Sequence, residues 1–563
     1  MPTSLVLALA LAASLRSPAD RVAIAEGLRD AIRARYVFLS VKPPVDLDGC
    51  VAAEAAIKDE EDPLRFYDRM RRCTAAFQDG HLILSVPDRL PPVALGVAFR
   101  RTGDGAVRLA GRSPGLVRWL EAEGSVPDAD AVLAAGAEVV RIDGRPAAEA
   151  LEALVPYVQG SSPGARLERA ADALGRRDFA YPGARAATLV VAHQGGLRTV
   201  TLPWWIAPGA REHAVAGAYA RRMELRTADF LDWSGTPAWA NADPGLGAAR
   251  GEPAVPPADA AVLRPFRTAS GRVAARLGEA TSADGRRYCY AQILTFHTET
   301  LDGGAGPRPL PEVLRDHLAG CAARGEDLVL DSRQNEGGYL SHATAVARLL
   351  LPAGRPLPAA ALVVRATERN EAVYKVRAPA PALGTVRALV TGGRTEAEEV
   401  LDAVRDARAS GAEFTPAFLE RTAGEGVFAG RVVALASPAC MSACDRLLAT
   451  LKAAGRATIV GGPTEGAGGS QQEAGDLSAR WTDPSSRLTL SIPNAAMGVA
   501  PAGAGRTEGA DRFFRTSALE NRPVEPDVPY ATGEEDLARA NQGWRAAAEA
   551  ALAPPRLARA PQG

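Results

Sequence analysis

A chain of 563 residues is longer than one compact hydrophobic core supports, so roughly two to four domains are expected. Hydrophobic residues make up 47% and charged residues 23%, as in ordinary globular proteins. The formal net charge of -1 excludes a basic nucleic-acid surface or a polybasic membrane patch as the organising feature.

Basic residues are mostly arginine, with lysine only at Lys42, Lys58, Lys375 and Lys452; with the abundant Ala, Gly and Pro this reads as a composition bias. Residues 1–18 contain a short apolar run, Leu5 to Ala13, with Ala10-Leu11-Ala12 as a candidate cleavage site. That pattern resembles an export signal, although the usual positive start is missing; a core-packed first helix is the other reading. The run is too short to span a membrane, and no later run is long enough.

Residues 19–88 read as a helical domain that closes on "QDGHLILSV", a turn followed by a strand. Cys50 and Cys73 flank one helical region there, and they pair if the protein is exported or remain two buried thiols if it is not. Residues 89–205 are β-rich. "GAEVVRIDGRPAAEALEAL" has a Gly turn, a strand, the tight turn Asp143-Gly144, Pro146 and a helix start, and it resembles the carboxylate-proximal half of a PDZ domain. Such domains take an extended peptide as an added strand. Residues 206–285, rich in Ala, Pro, Gly and Arg, read as a linker or irregular insertion.

From 286 to 360 strands and helices alternate, the order of an α/β layer. Residues 361–427 interrupt it as a mixed insertion. The pattern resumes over 428–532, and 533–563 hold a terminal helix and tail. The expected fold class is therefore α/β, multidomain.

Two stretches carry chemistry. In "VVALASPACMSACDRLLATLKAAG" a buried strand gives way to a helix at Ser442, whose hydroxyl lies near free backbone N–H groups that would stabilise an oxyanion. The plain alternative is that Ser442 only caps the helix. Cys440 and Cys444, four apart on one helix face, have no further metal ligands at usable spacing and read as core packing. In "DLVLDSRQNEGGYL" a buried strand ends at Asp331, and Gly337-Gly338 follow in a loop at the carboxyl end of the sheet.

Together these stretches resemble the tail-specific (C-terminal processing) serine peptidases. "LVLDSRQNEGG" is similar to their DLRxNxGG motif. "VVALASPACMSACDRLLATLKAAGRATIVGGPTEG" is similar to their nucleophile segment, and "VEPDVPY" to their closing PD motif. The resemblance implies a crotonase-like α/β core and an acyl-transfer reaction on polypeptides, needing neither metal nor organic cofactor. It implies Ser442 as nucleophile, with the Ala443 N–H and a Gly338 or Gly337 N–H, Gly338 preferred, as oxyanion donors. The substrate is a polypeptide, taken at its C-terminal end in this family.

One departure matters: where the family carries its general-base lysine, this chain has Ala467. Lys452 lies ten residues down the nucleophile's own helix, about 15 Å away along the axis. The branch that includes the tricorn core protease resembles the chain better. It uses a histidine from a "DGHT"-like stretch, here His81 in "FQDGHLILS", and a glutamate before the PD motif, here Glu520. Glu520 would act on His81 through a polar relay, but the serine that this branch places before its histidine is replaced by Gly80. His297 and His342 are the competing bases; His193, His213 and His317 sit outside any motif, and Asp79 reads as a turn former. The alternative from another class is an inactive relative that binds peptides or hydrophobic ligands, suggested by Ala467.

Overall fold

The computed structural model describes residues 17–58, 62–86, 90–231, 233, 263–297, 300–303, 306–378, 395–420, 422–501, 507–539 and 541–553. The expected export signal over 1–18 falls almost wholly outside them. No helix among the described residues is long and apolar enough to cross a membrane.

The architecture is mixed α/β, arranged around a nine-stranded sheet. Its order is Pro307–Arg308, Leu301–Asp302, Arg264–Arg267, Val273–Thr281, Arg287–Ile293, Asp327–Asp331, Val432–Ala436, Thr458–Gly461, Val528–Pro529. The last five strands run parallel. Val432–Ala436 is buried at every position, as a strand covered on both faces requires. Helices Leu310–Ala323, Leu340–Leu350 and Ala443–Ala453 are the crossovers, and the last two pack on each other. Parallel strands bring their carboxyl ends to one edge, so the loops after Asp331, Ala436 and Gly461 meet there.

A second, five-stranded sheet lies against this edge, in the order Gly469–Ser470, Ala495–Ala500, Ala359–Val364, Ala417–Glu420, Thr507–Glu508. Helices Glu368–Arg377 and Glu396–Ser410 accompany it, so much of the expected 361–427 insertion is built into this sheet. Residues 379–394 of that stretch lie outside the described residues.

The N-terminal part is helical. Pro18–Arg35 begins at a Ser17 cap and buries Ile24, Leu28 and Ile32. Pro63–Ala75 begins at an Asp62 cap. The β-rich part contains the strand pair Val97–Arg101 and Val107–Arg112, and a four-stranded sheet built on Ala186–His193. It also holds a helix that the sequence reading passed over, Pro163–Gly175, started by Ser162 with Pro163 in the first turn.

Two expectations need correction. The segment 206–285 is not simply irregular: it contains helix Ala214–Arg222 and the sheet strands Arg264–Arg267 and Val273–Thr281. "VAARLGEAT" has weak strand propensity, but its antiparallel pairing with Arg287–Ile293 from Ala275↔Ile293 to Thr281↔Arg287 decides its state. Cys440 and Cys444 do not share a helix face and are not separate packed thiols but a disulfide: the non-helical turn at Ser442 that precedes helix Ala443–Ala453 brings their Cα atoms to 5.4 Å. Cys289–Cys321 and Cys50–Cys73 are also bridged, the latter being the pairing the sequence left open.

Removing the Cys50–Cys73 bridge by a double serine substitution frees a loop with a sequence separation of 23. The expected loss is about 3 kcal/mol of stability. Urea denaturation of the variant beside wild type, with thiol counting under non-reducing conditions, reads it.

Candidate active site

The nucleophile candidate sits at a strained turn. Ser442 has φ 60° and ψ -115°, sparsely populated backbone for a residue with a side chain. Its N–H donates to Asp445 Oδ2 at 2.7 Å. The Asp445 carboxylate also accepts Gly466 N–H at 2.8 Å and Ala467 N–H at 3.0 Å. Burial raises the Asp445 carboxyl to about 7, against bonds from Thr464, Gly466 and Ala467. Asp445 thus does the capping work, leaving the Ser442 hydroxyl 3.0 Å from His81 Nε2.

The glycine loop is locked to this turn. Arg333 bonds Asp331 through two nitrogens, at 2.9 and 2.7 Å, with its guanidinium over the Trp544 ring. Asn335 O accepts the Met441 N–H at 3.0 Å, tying loop to turn. Asn335 Oδ1 accepts the Gly337 N–H at 2.9 Å, so that group is engaged and Gly337 is a poor oxyanion donor. The Gly338 and Ala443 N–H groups have no such partner among the described residues. A β-carbon at Gly337 would stand 2.6 Å from Ser442 Cβ, and one at Gly338 would collide with the Phe296–His297 backbone. Both glycines are required by close approach.

His81 arrives from the N-terminal part. Asp79 Oδ1 accepts the His81 N–H at 2.7 Å, the bond of a turn former, and Asp79 Oδ2 accepts from Tyr36 Oη at 2.9 Å. Burial lowers the His81 pKa; Asp79 and Glu465 push it up, while Arg169 and Lys42 push it down. His81 Nδ1 is buried without a hydrogen-bond partner among the described residues.

Glu520 is buried close by, but its carboxylate does not bond His81. Oε2 accepts the Gly468 N–H at 2.7 Å; Oε1 accepts from Ser161 Oγ at 3.2 Å and from Lys42. Ser161 Oγ in turn accepts the Gly80 N–H at 3.0 Å. A different hydroxyl therefore stands beside the glycine that replaces the family's serine. A β-carbon at Gly80 would collide with Glu465 Oε1, which accounts for the glycine. Burial and Asp79 raise the Glu520 carboxyl to about 8, against Lys42 and Gly468.

The sequence reading missed Lys42, Ser161, Arg169, Glu465 and Asp445. Lys42 Nζ also donates to Phe77 O at 3.2 Å and Gln78 O at 3.1 Å. Arg169 bonds both Glu465 oxygens, at 3.0 and 2.6 Å. A lysine in a chain that uses arginine almost everywhere was one available signal, and Ser-Ser-Pro before a helix was another. Lys452 is half-exposed and pairs with Asp527 at 3.0 Å. Neither His297 nor His342 bonds Ser442; their rings lie against Tyr339.

Residues 288–490 match the family model described as Peptidase family S41. Mature CPAF is similar in fold, with TM-score 0.65 at 16% identity over 93% of this chain and 95% of that chain. CPAF complexed with lactacystin gives 0.64 at 17% identity, over 94% and 96%. A comparison with curated protein sequences finds no match. The α/β fold and the matched domain define a serine-type peptidase, whose substrate is a polypeptide. The segment 288–490 is thus a peptidase family S41 domain, of the tail-specific protease kind.

Asp445→Asn tests the turn. An amide offers one acceptor oxygen where three backbone donors now share two. The expected result is a loss of about 1–3 kcal/mol in urea denaturation, the cost of a buried donor left unpaired.

Proposed function

We propose that the protein hydrolyses polypeptides by acyl transfer through Ser442, with His81 as general base and Glu520 as a positioning residue. The observation that carries this reading is the 3.0 Å contact between His81 Nε2 and Ser442 Oγ at the strained turn. His81 Nε2 takes the Ser442 proton as Oγ attacks the scissile carbonyl, and the Ala443 and Gly338 N–H groups receive the oxyanion. The imidazolium then protonates the leaving amine. Water, deprotonated by His81, releases the acyl group and restores the serine.

The charges around His81 favour this cycle. Three carboxyl groups, Asp79, Glu465 and Glu520, face the two cations Lys42 and Arg169; with Glu520 raised to about 8, the set gains its excess negative charge only as Glu520 ionises. Burial keeps the resting imidazole neutral and able to accept a proton, and the excess charge stabilises the imidazolium. Glu520 acts through Ser161 and Gly80, holding the backbone that carries His81 rather than the ring itself.

The finer architecture belongs to the same proposal. Residues 19–88 form a helical domain that delivers His81. Residues 89–205 form a PDZ-like module that takes the extended C-terminal end of a substrate. Residues 286–360 and 428–532 form a crotonase-like core. Three disulfides support an exported, oxidising location, with residues 1–18 as the signal.

Labelling with a fluorophosphonate probe tests the assignment. Wild type is expected to label, with label lost in both Ser442→Ala and His81→Ala. Label that survives His81→Ala moves the base elsewhere, and an unlabelled, folded wild type favours the inactive, ligand-binding reading.

Lys42→Met gives a signed pH effect. The lysine charge lowers the pKa of both Glu520 and His81. The reactive form needs Glu520 ionised and His81 neutral. Both groups should therefore lose protons at higher pH in the variant, moving the acid limb of the labelling rate upward by about one unit. An unmoved limb removes Lys42 and Glu520 from the mechanism.

A further inference from the structure

A cavity of about 820 Å³ opens beside the reactive turn. Leu340 and Ser341, which line it, follow Gly338 in the chain. Arg446, also in the lining, lies one turn beyond Ser442 on the same helix, about 6 Å along its axis. Met497 lies on the strand that pairs with Gly469–Ser470, and Gly469 packs close to His81 Nδ1. The cavity thus borders the glycine loop, the nucleophile helix and the strand beside the base.

One part of its wall is apolar, from Leu340, Leu362, Phe418 and Met497. Its charges are Glu396, Glu399, Glu420 and Arg446. Arg446 is already spent: it bonds Glu420 at 2.8 Å and Thr344 Oγ1 at 2.6 Å. The Glu396 and Glu399 side chains have no hydrogen bond or ion pair among the described residues. Arg377, the other cation near Glu396, is held by Gln472 Oε1 and the Glu473 carbonyl and does not line the cavity. The lining therefore carries two carboxylates without a matching cation, above an apolar wall.

We infer that this cavity is a specificity pocket that receives a lysine or arginine side chain of the substrate beside the scissile bond. The inference rests on Ser442 being the nucleophile. The aliphatic stem lies against Leu362, Phe418 and Met497, and the cationic end meets Glu396 and Glu399, as long basic side chains bury their stems and keep their heads among polar partners. Partial burial and the neighbouring Glu420 raise the Glu396 carboxyl, against Arg446 and Arg377. An acidic side chain is repelled, and an apolar one leaves both carboxylates facing it.

The test separates binding from catalysis. Full-length Ser442→Ala protein is titrated with fluorescein-labelled peptides that are identical except for one residue: lysine, norleucine or glutamate. Fluorescence anisotropy is read at low and high salt. The expected result is at least about tenfold tighter binding of the lysine peptide than of the norleucine peptide, about 1.4 kcal/mol, weakening with salt. Adding Glu396→Gln and Glu399→Gln should bring the ratio below about twofold; both residues are exposed, and the urea midpoint confirms that the variant folds. Equal binding of the two peptides overturns the inference, as does a lysine preference that survives the double substitution. Fluorophosphonate labelling of the wild type runs beside it. Labelling without a lysine preference removes the pocket alone, and a lysine preference without labelling removes the nucleophile assignment and with it the pocket's catalytic role.

Discussion

Everything at this site hangs on one unfavourable backbone conformation. A residue with a side chain held at φ 60° and ψ -115° costs about 1–3 kcal/mol, and it persists only where its surroundings over-determine it. Here they do. Asp445 takes the Ser442 N–H, the Met441 N–H is bound to Asn335 O, and the Cys440–Cys444 bridge spans the turn. Gly337 packs against Ser442 Cβ so closely that no side chain fits. The strain has a chemical return: it turns the hydroxyl away from its own helix and towards His81, while the first free N–H of that helix stays available.

The second constraint is electrostatic. Asp79, Glu465, Glu520, Lys42 and Arg169 are placed around one imidazole, several of them fully buried. An uncompensated buried charge costs several kcal/mol, so none of these groups is tolerable without its partners. The partners come from distant parts of the chain: Lys42 and Asp79 from the N-terminal part, Arg169 and Ser161 from the β-rich part, Glu465 and Glu520 from the loops at the edge of the main sheet. The site is therefore assembled where three parts of the chain dock, and the docking is enforced by charges that cannot remain buried alone.

This explains what the sequence made legible. The nucleophile turn and the glycine loop each belong to one strand, one turn and one helix, so their residues keep fixed spacing and the motif survives as text. Ser442, Gly338 and Ala443 could be singled out for that reason, and His81 and Glu520 through short motif contexts; the structure brings the Ser442 hydroxyl to His81 and buries Glu520 close by. Lys42, Ser161 and Arg169 meet the others only in three dimensions, and no spacing announces them. Gly337 was assigned as a possible donor because a glycine pair looks symmetrical in sequence; the Asn335 side-chain Oδ1 breaks that symmetry. Cys440 and Cys444 illustrate a different limit. The expected shared helix face does not exist, because the helix begins only at Ala443 and the turn before it folds Cys440 back onto Cys444. The strand Val273–Thr281 was lost because Ala, Gly and Arg carry little strand preference, and the neighbouring strand supplies what propensity does not.

The alanine at position 467 becomes intelligible in the same terms. Its side chain is fully buried, and its N–H is committed to Asp445. The chain on either side is pressed against 519–523: a β-carbon at Gly466 would stand 2.7 Å from Pro523 N, and one at Gly468 would collide with the Glu520 backbone. Ala467 is thus a small, fully buried residue in a segment whose neighbours on both sides abut 519–523. The groups beside the hydroxyl come instead from the N-terminal part, with Lys42 bound to Glu520 and His81 seated against Ser442. The lysine is spent on a carboxylate, and the imidazole Nε2 stands 3.0 Å from the serine hydroxyl.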